Sequence, residues 1–168
     1  MDARSLFLGI GAAVVARGAL SRMMRFKLGR DVERLNRGDY QPLLAGFADD
    51  AVLHFHRGPH RFAGPHIGKA AIETFLRNFV SAGLHGELGR IWIAGPPWAL
   101  EICVRFDDHA EDPSGRTIYA NHTILWARTR WGKIVEQRDF FEDTGRILVL
   151  EEELTTRGQP AVTSPGSG

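Results

Sequence analysis

The stretch RWGKIVEQRDFFED, residues 130–143, is typical of a turn followed by a long strand. Alternation along that strand places four residues on one face: Val135, Gln137, Asp139 and Phe141. Asp139 therefore stands among side chains suited to burial. A carboxylate removed from water is costly unless it is paired, hydrogen-bonded or protonated. We expect this face to form the wall of a partly polar cavity.

Three earlier segments have the same strand-like character, namely 87–94, 98–107 and 117–129, and glycine- and proline-containing turns separate them. Together with 133–143 they predict a meander of long antiparallel strands. Further upstream, two short strands are predicted at 52–56 and 60–63, joined by the turn Arg57-Gly58-Pro59.

Apolar residues recur at helical spacing over 20–35 and again over 72–80. A helical turn over 40–47 and a final helix over 146–154 complete the pattern. Helices first and a sheet afterwards favour an α+β domain, with helices packed on one side of a curved antiparallel sheet.

Length and composition fit one globular domain, since the chain has 168 residues of which 43% are hydrophobic and 24% charged. We assign the domain to 17–154, with an apolar extension of helix one at 1–16 and a disordered tail at 155–168. The formal net charge of +1 gives no argument for a nucleic-acid partner. The single cysteine, Cys103, excludes an intramolecular disulfide and a cysteine-rich metal site.

The N-terminal sequence LFLGIGAAVVA, residues 6–16, is apolar. Its eleven residues fall short of the roughly 20 needed to cross a bilayer, so we predict that it packs on the domain or on a second subunit. Two alternatives stay open. One is a secretory signal, because Arg4 precedes the stretch and small residues follow it. The other is a helix lying on a membrane surface, because residues 1–38 carry an excess of five positive charges. The favoured location is the cytoplasm.

Two groups of polar residues invite opposed interpretations. Asp31 falls inside the apolar stripe of helix one, where it either pairs with Lys27 one turn earlier or faces a pocket. His54, His56 and His60 lie close together in sequence, but the spacing fixes no third metal ligand, so a metal is not favoured. Titration near neutral pH leaves His54 or His56 as a candidate general acid or base.

Arg105 and Asp107 share one face of the strand over 98–107. If the meander brings Arg105 between Asp107 and Asp139, its guanidinium can bridge both carboxylates and leave one of them protonated. An acid and a base would then face each other across one pocket. The alternative is an ordinary ladder of ion pairs on a solvated sheet face.

Three segments in this order, LNRGDYQPLLAGFADDAVLHF, GKAAIETFL and RWGKIVEQRDFFED, resemble SnoaL-like members of the nuclear transport factor 2-like superfamily over about residues 28–148. The resemblance implies a cone-shaped α+β barrel with a deep pocket between helices and a curved sheet. It also implies a homodimer through the sheet and cofactor-free acid–base chemistry on small apolar molecules. Some members of the superfamily bind ligands without catalysis.

By this resemblance, Asp139 matches the pocket acid that serves as base in epoxide hydrolases and as acid/base in polyketide cyclases. Arg105 and Asp107 resemble the arginine and proton-donating aspartate of the epoxide hydrolases. Those hydrolases hold water with a tyrosine and an asparagine, whose places are taken here by Leu53 and Phe55. Phe55 also replaces the base of ketosteroid isomerases, and Asp31 replaces their oxyanion tyrosine.

The sequence thus predicts a small enzyme that needs no metal or cofactor and acts on an apolar metabolite by epoxide hydrolase-, cyclase- or isomerase-like chemistry. Its predicted catalytic residues are Asp139 as base, Asp107 as acid and Arg105 as bridge. The predicted substrate contacts are His54, Phe55, Tyr119, Gln137, Phe141 and Asp31. The alternative is a non-catalytic ligand-binding or dimerisation module of the same fold.

Overall fold

A computed structural model describes residues 3–163, with side-chain surroundings from residue 18 onward. Within that range the elements follow in the order α1 (Ala3–Asn36), α2 (Gln41–Gly46), β1 (Phe47–His54), β2 (His66–Ile67), α3 (Lys69–Ser81), β3 (Leu84–Ala94), β4 (Glu101–Glu111), β5 (Thr117–Arg130), β6 (Lys133–Phe141) and α4 (Gly145–Thr156). The predicted α+β class is confirmed.

The six strands form one curved sheet in the order β2-β1-β6-β5-β4-β3, which stays open because β2 and β3 are its edges. The inner face packs against helices, and Val32 of α1, Ile72 of α3 and Ile147 of α4 share one buried core with it. At the end of α1, the side-chain amide of Asn36 donates to the carbonyl of Gly86 and accepts from its N–H, which fixes this helix to β3.

The meander from β3 to β6 is antiparallel as predicted, but the sheet is mixed because β1 runs parallel to β6. The expectation of a wholly antiparallel sheet is therefore wrong at this pair. The chain leaves β1 through α3 and passes through three reversals before β6 returns beside β1. No hairpin joins the two strands, so local turn signals do not set their relative direction.

The predicted strand over 60–63 is also wrong. The backbone N–H of Arg61 donates to Glu151 of α4 at 3.0 Å, and its guanidinium binds the same carboxylate at 2.9 and 3.1 Å. Phe62 next to it is fully buried. The segment therefore docks on α4 and the core as an irregular loop, and the partner strand of β1 is the two-residue β2 further along.

The predicted disordered tail is ordered through residue 162. Asn78 of α3, itself buried, accepts from the N–H of Val162 at 2.8 Å and donates to its carbonyl at 3.0 Å. Arg61 donates to the carbonyl of Gln159. Residues 164–168 lie outside the described residues, and so do the side chains of 6–16, whose packing on protein stays a prediction.

Replacing Asn78 with alanine is expected to release the segment after α4. Both backbone groups of Val162 lose their partner, so we expect a loss of about 1–2 kcal/mol in the free energy of unfolding and much faster hydrogen exchange at the Val162 amide. Hydrogen exchange with mass spectrometry measures both. Arg77→Ala, at an exposed neighbour on α3, is the control, and equal exchange in the two variants would contradict the anchoring role of Asn78.

Candidate active site

A cavity of about 230 Å³ lies between the helices and the inner face of the sheet. That volume far exceeds the roughly 15 Å³ that accommodates one water, so it is a ligand-sized space and not a packing defect. Its walls are mostly leucine, isoleucine, valine and phenylalanine side chains. The polar residues among them are few: Lys27, Asp108, Tyr119, Thr123, Thr129, Gln137 and Asp139.

Asp139 lines this cavity from β6, on the face that it shares with Gln137 and Phe141. Its Oδ1 accepts a hydrogen bond from the side-chain amide of Gln137 at 2.8 Å. Removal from water is the main cause that raises the pKa of Asp139 to about 7, and the charge of Asp108 adds to it against the opposing effect of Gln137. This carboxyl is therefore close to half protonated at neutral pH.

Asp108 is a second acid on the cavity wall, buried at 7% exposure on β4. The Tyr119 hydroxyl donates to its Oδ2 at 2.8 Å, and the Thr123 hydroxyl donates to its Oδ1 at 3.1 Å. Burial raises the pKa of Asp108 to about 6 although both hydroxyls stabilise the ionised form. Burial and the same contact raise the pKa of Tyr119 well above its usual value, so this phenol remains a donor.

The strand register places these two acids on one face of the sheet, two strands apart and four residues apart along β5. β5 lies between β4 and β6, with Leu125 opposite Asp139 and Asn121 opposite Asp108. Both carboxylates consequently project from the same face of the sheet into one apolar cavity. Two like charges in such a site disfavour double ionisation, so the pair tends to keep one proton near neutral pH.

The predicted acid Asp107 and bridge Arg105 do not belong to this site. Both lie on the outer face of β4, where Arg105 donates to Asp107 at 3.2 and 3.3 Å and His122 contacts Asp107 at 2.7 Å. Partial burial raises the pKa of Asp107, but the hydrogen bonds from His122 and Arg105 outweigh it and hold the pKa below its usual range. Within residues 18–163, Asp139 has Gln137 and not Arg105 as its side-chain partner.

Asp108 was not among the predicted site residues. Alternation alone indicates it, because Ile102, Val104 and Phe106 of the same strand face inward. Phe106 stands two residues before Asp108, at the same spacing that separates Arg105 from Asp107. Its ring lies over Gly86 of β3, where a Cβ atom would come within 1.9 Å of the ring. The cavity wall near Asp108 therefore carries the aromatic ring of Phe106 and not a guanidinium group.

The predicted substrate contacts divide between the cavity and other places. Phe55, Tyr119, Gln137 and Phe141 line the cavity, and so does Leu53. Asp31 does not, because it is buried against Lys27 in an ion pair, as the first of the two interpretations held.

His54 is not part of the cavity wall and lies 3.7 Å from Glu136; with His56 it lines a neighbouring recess that shares Phe55, Asp139 and Phe141 with the cavity. His60 is buried beside Phe55, and its two ring nitrogens have no hydrogen-bond partner among the described residues. Within residues 18–163, no three histidine, cysteine or acidic side chains converge as metal ligands would.

A sequence profile of the SnoaL-like domain matches residues 30–137, which include α2, α3 and nearly all of the sheet. The chain belongs to the SnoaL-like domain family. The matched residues include Asp108 and Gln137, and Gln137 is the hydrogen-bond partner of Asp139. No curated protein matches the chain.

Solved structures share the fold of this SnoaL-like domain. An NTF2-like protein of unknown function from Burkholderia pseudomallei is 21% identical, with 76% of this chain and 95% of that one covered and a TM-score of 0.62. A putative polyketide cyclase from Xanthomonas campestris is 19% identical (77% and 98% covered, TM-score 0.53). SalBIII, an epoxide hydrolase/cyclase-like enzyme in pyran ring formation in the polyether salinomycin, is 17% identical (73% and 93% covered, TM-score 0.58). At these identities the likeness shows the fold.

Among the described residues, no helix combines the length and the apolar character that crossing a bilayer requires.

Proposed function

We propose that this SnoaL-like domain is a cofactor-independent enzyme that moves a proton on a small, neutral, apolar substrate, as a cyclase or isomerase does. The observation that carries the proposal is Asp139, a carboxyl with a pKa of about 7 on the wall of an apolar cavity. A group that is half protonated at working pH can take a proton from one atom and return it to another.

Asp108 acts as the fixed charge of the pair. Its two hydrogen bonds from Tyr119 and Thr123 favour the anion, whereas Asp139 accepts only one, from Gln137. The proton of the pair therefore resides mainly on Asp139. The nearby anion of Asp108 also makes Asp139 a stronger base once that proton has been given away.

The charges of the cavity favour a neutral substrate. Lys27 is the one basic residue among the lining residues, and its ammonium group is already paired with Asp31. An anionic ligand would meet two carboxyls without a free cation. Apolar walls with a few polar groups suit a compact ring or chain that carries a carbonyl, enol or epoxide oxygen.

Proton transfer fits the site better than epoxide hydrolysis. Hydrolysis needs a held water, a base and a separate acid, but Leu53 and Phe55 cannot hold water, and Asp108 with a pKa of about 6 is mostly ionised at pH 7. Ring closure needs no water, because a hydroxyl of the substrate is itself the nucleophile. The solved neighbours named as a putative polyketide cyclase and an epoxide hydrolase/cyclase-like enzyme agree with this choice.

Solvent-deuterium exchange can detect such proton transfer before the natural substrate is identified. Small enolisable ketones and hydroxy-epoxides would be incubated with the protein in D₂O. Mass spectrometry would record deuterium uptake by the ketones, and chromatography against standards would record ring closure of the hydroxy-epoxides, which leaves the mass unchanged. We expect uptake or closure for at least one class, and its loss in Asp139→Asn. Ligands that raise the melting temperature without any exchange or closure would instead establish the binding module.

We also propose that two copies pair through the outer face of the sheet. Trp92, Ile124 and Phe140 are 46%, 39% and 57% exposed there. Cross-strand register places Trp92, Cys103 and Trp126 in one row, and Ile124 directly opposite Phe140 in the next. The apolar side chains of these two rows span four strands, with Arg138 beside Trp126 and Arg105 beside Ile124. Such a surface suits an isologous interface, since a two-fold axis brings it onto itself.

Ile124→Asp combined with Phe140→Asp is expected to convert the dimer into a monomer, because it places four carboxylates in the proposed interface. Sedimentation velocity at several concentrations measures the change. Trp131→Ser, which removes a 78% exposed aromatic side chain from the β5–β6 turn, is the control and should leave the dimer intact. A wild-type protein that sediments as a monomer throughout would refute the interface.

A further inference from the structure

The outward face of α1 between residues 22 and 30 combines basic and apolar side chains. Phe26 and Met23 are 67% and 63% exposed, and Arg22, Arg25 and Arg30 around them are partly or fully exposed as well. At 100° per residue, Phe26 lies at about 40° from Arg22 and Arg30 at about 80°, so the ring stands between two arginines on one face. We call this surface the α1 outer face.

The contacts of the α1 outer face leave its cations available. Lys27 and Arg34 are paired with Asp31 and Asp39, but Arg22 and Arg30 have no acidic partner among residues 18–163. The guanidinium of Arg30 stacks over the Phe26 ring at 5.8 Å from its centroid. An exposed aromatic ring flanked by unpaired arginines is typical of a helix that lies in the headgroup region of a membrane.

We propose that the α1 outer face docks on an anionic lipid surface. Charge complementarity favours that partner over a second copy of the chain, because face-to-face pairing would bring arginines against arginines. Residues 1–38 carry an excess of five positive charges while the chain as a whole is +1, so the remaining domain is net negative. A negative domain behind a positive helix orients the molecule with α1 toward the lipid.

Docking in this orientation would also bring the cavity close to the membrane. The opposite face of the same helix segment contributes Met24 and Leu28 to the cavity wall. A docked α1 therefore separates the membrane from the cavity by one helix thickness. Apolar ligands dissolved in the bilayer would be concentrated next to the site. This docking does not depend on the proposed proton-transfer activity.

Vesicle flotation of the full chain tests the docking. We expect binding to vesicles that contain one third phosphatidylserine, little binding to phosphatidylcholine alone, and release as salt is raised. Arg22→Glu combined with Arg30→Glu should weaken binding by at least about tenfold, since each arginine near an anionic surface contributes measurably. Phe26→Ser should weaken vesicle binding several-fold. This result would distinguish insertion of the ring into the lipid from attraction by charge alone.

The matched control is Arg57→Glu combined with Arg77→Glu, which makes the same change of charge at exposed positions outside α1. It should bind within about twofold of the wild-type protein if the contact is local. Equal binding to neutral vesicles, or equal weakening by both pairs, would overturn the proposal. Self-association that only Arg22→Glu with Arg30→Glu abolishes, without vesicle binding by the wild type, would show that the face binds a second copy.

Discussion

Asp139→Asn is expected to lower turnover of a suitable substrate by about 10²- to 10⁴-fold, the range typical of losing a general acid–base group. Asparagine keeps the size of the side chain and can still pair with Gln137, which is 2.8 Å away, but it cannot exchange a proton with the substrate. The cavity should keep its shape. Ligand binding should consequently change far less than turnover, and isothermal titration beside a turnover assay separates the two quantities.

Arg105→Ala is the matched control for this experiment. A guanidinium that bridged the catalytic acids would be as important as Asp139, whereas Arg105 lies on the outer face and contacts Asp107 there. We expect its turnover to stay within about twofold of the wild type. Loss of activity in Arg105→Ala but not in Asp139→Asn would contradict the assigned site, and activity that merely follows the folded fraction in both would favour a structural role for the acids.

Tyr119→Phe should distinguish the roles within the pair. It removes one donor to Asp108, so the anion is less stabilised and the proton of the pair is shared more evenly between Asp108 and Asp139. Tyr119 thus has a positioning role that it exerts through Asp108, and the pH profile of turnover is its natural readout.

The helices, the meander and the inward face of β6 could be predicted because they are local. Helical spacing and two-residue alternation are properties of neighbouring residues. Alternation grouped Asp139 with Gln137 and Phe141 on one face, and the family resemblance turned that face inward. The pairing of β1 with β6 is different, because about 80 residues separate the two strands and no turn connects them. Its parallel direction follows only from the complete path of the chain.

The choice of Asp107 over Asp108 shows how one residue reverses a conclusion about a strand. Adjacent residues of a strand point to opposite faces, so moving the candidate acid by one position exchanges the cavity for solvent. Alternation with Val104 and Phe106 already indicated Asp108. The Arg-x-Asp resemblance at 105–107 favoured the other face, and the burial of Asp108 at 7% decides between them.

His60 and Arg61 illustrate a second limit. The alternation of the loop over 60–63 imitates a strand, yet the polar groups of Arg61 are satisfied by Glu151, 90 residues away. A sequence pattern records which residues suit burial, but it does not record which element buries them. Tertiary contacts with α4 settle that question here.

The stability of the protein should depend on pH in a direction that Asp139 and Asp108 determine. Their pKa values rise from 3.8, the ordinary value of an aspartate side chain in water, to about 7 and about 6 in the fold. The folded state therefore binds protons more tightly than the unfolded state. The corresponding stability is fully present below about pH 4 and is lost as pH rises through 6 and 7.

Other groups act in the opposite direction, so the wild-type curve alone cannot isolate this effect. Burial lowers the pKa values of His60 and His66, and their contribution to stability is present above about pH 6.5 and lost as pH falls. The difference between Asp139→Asn and the wild type cancels these contributions. The pH dependence that remains in this difference comes from the titration of Asp139 and from its coupling to Asp108.

We expect Asp139→Asn to be nearly neutral at pH 4.5 and stabilising at pH 8, by on the order of 2 kcal/mol, because above pH 7 the wild type must keep a charge in an apolar cavity. Urea unfolding at the two pH values measures the difference. Asp49→Asn, at a carboxylate whose side chain is 95% exposed, is the control and should show almost no pH-dependent difference. An Asp139→Asn variant less stable than the wild type at pH 8 would mean that the Asp139 anion is stabilised in the fold, and the assignment of a raised pKa would then fail together with the acid–base role that depends on it.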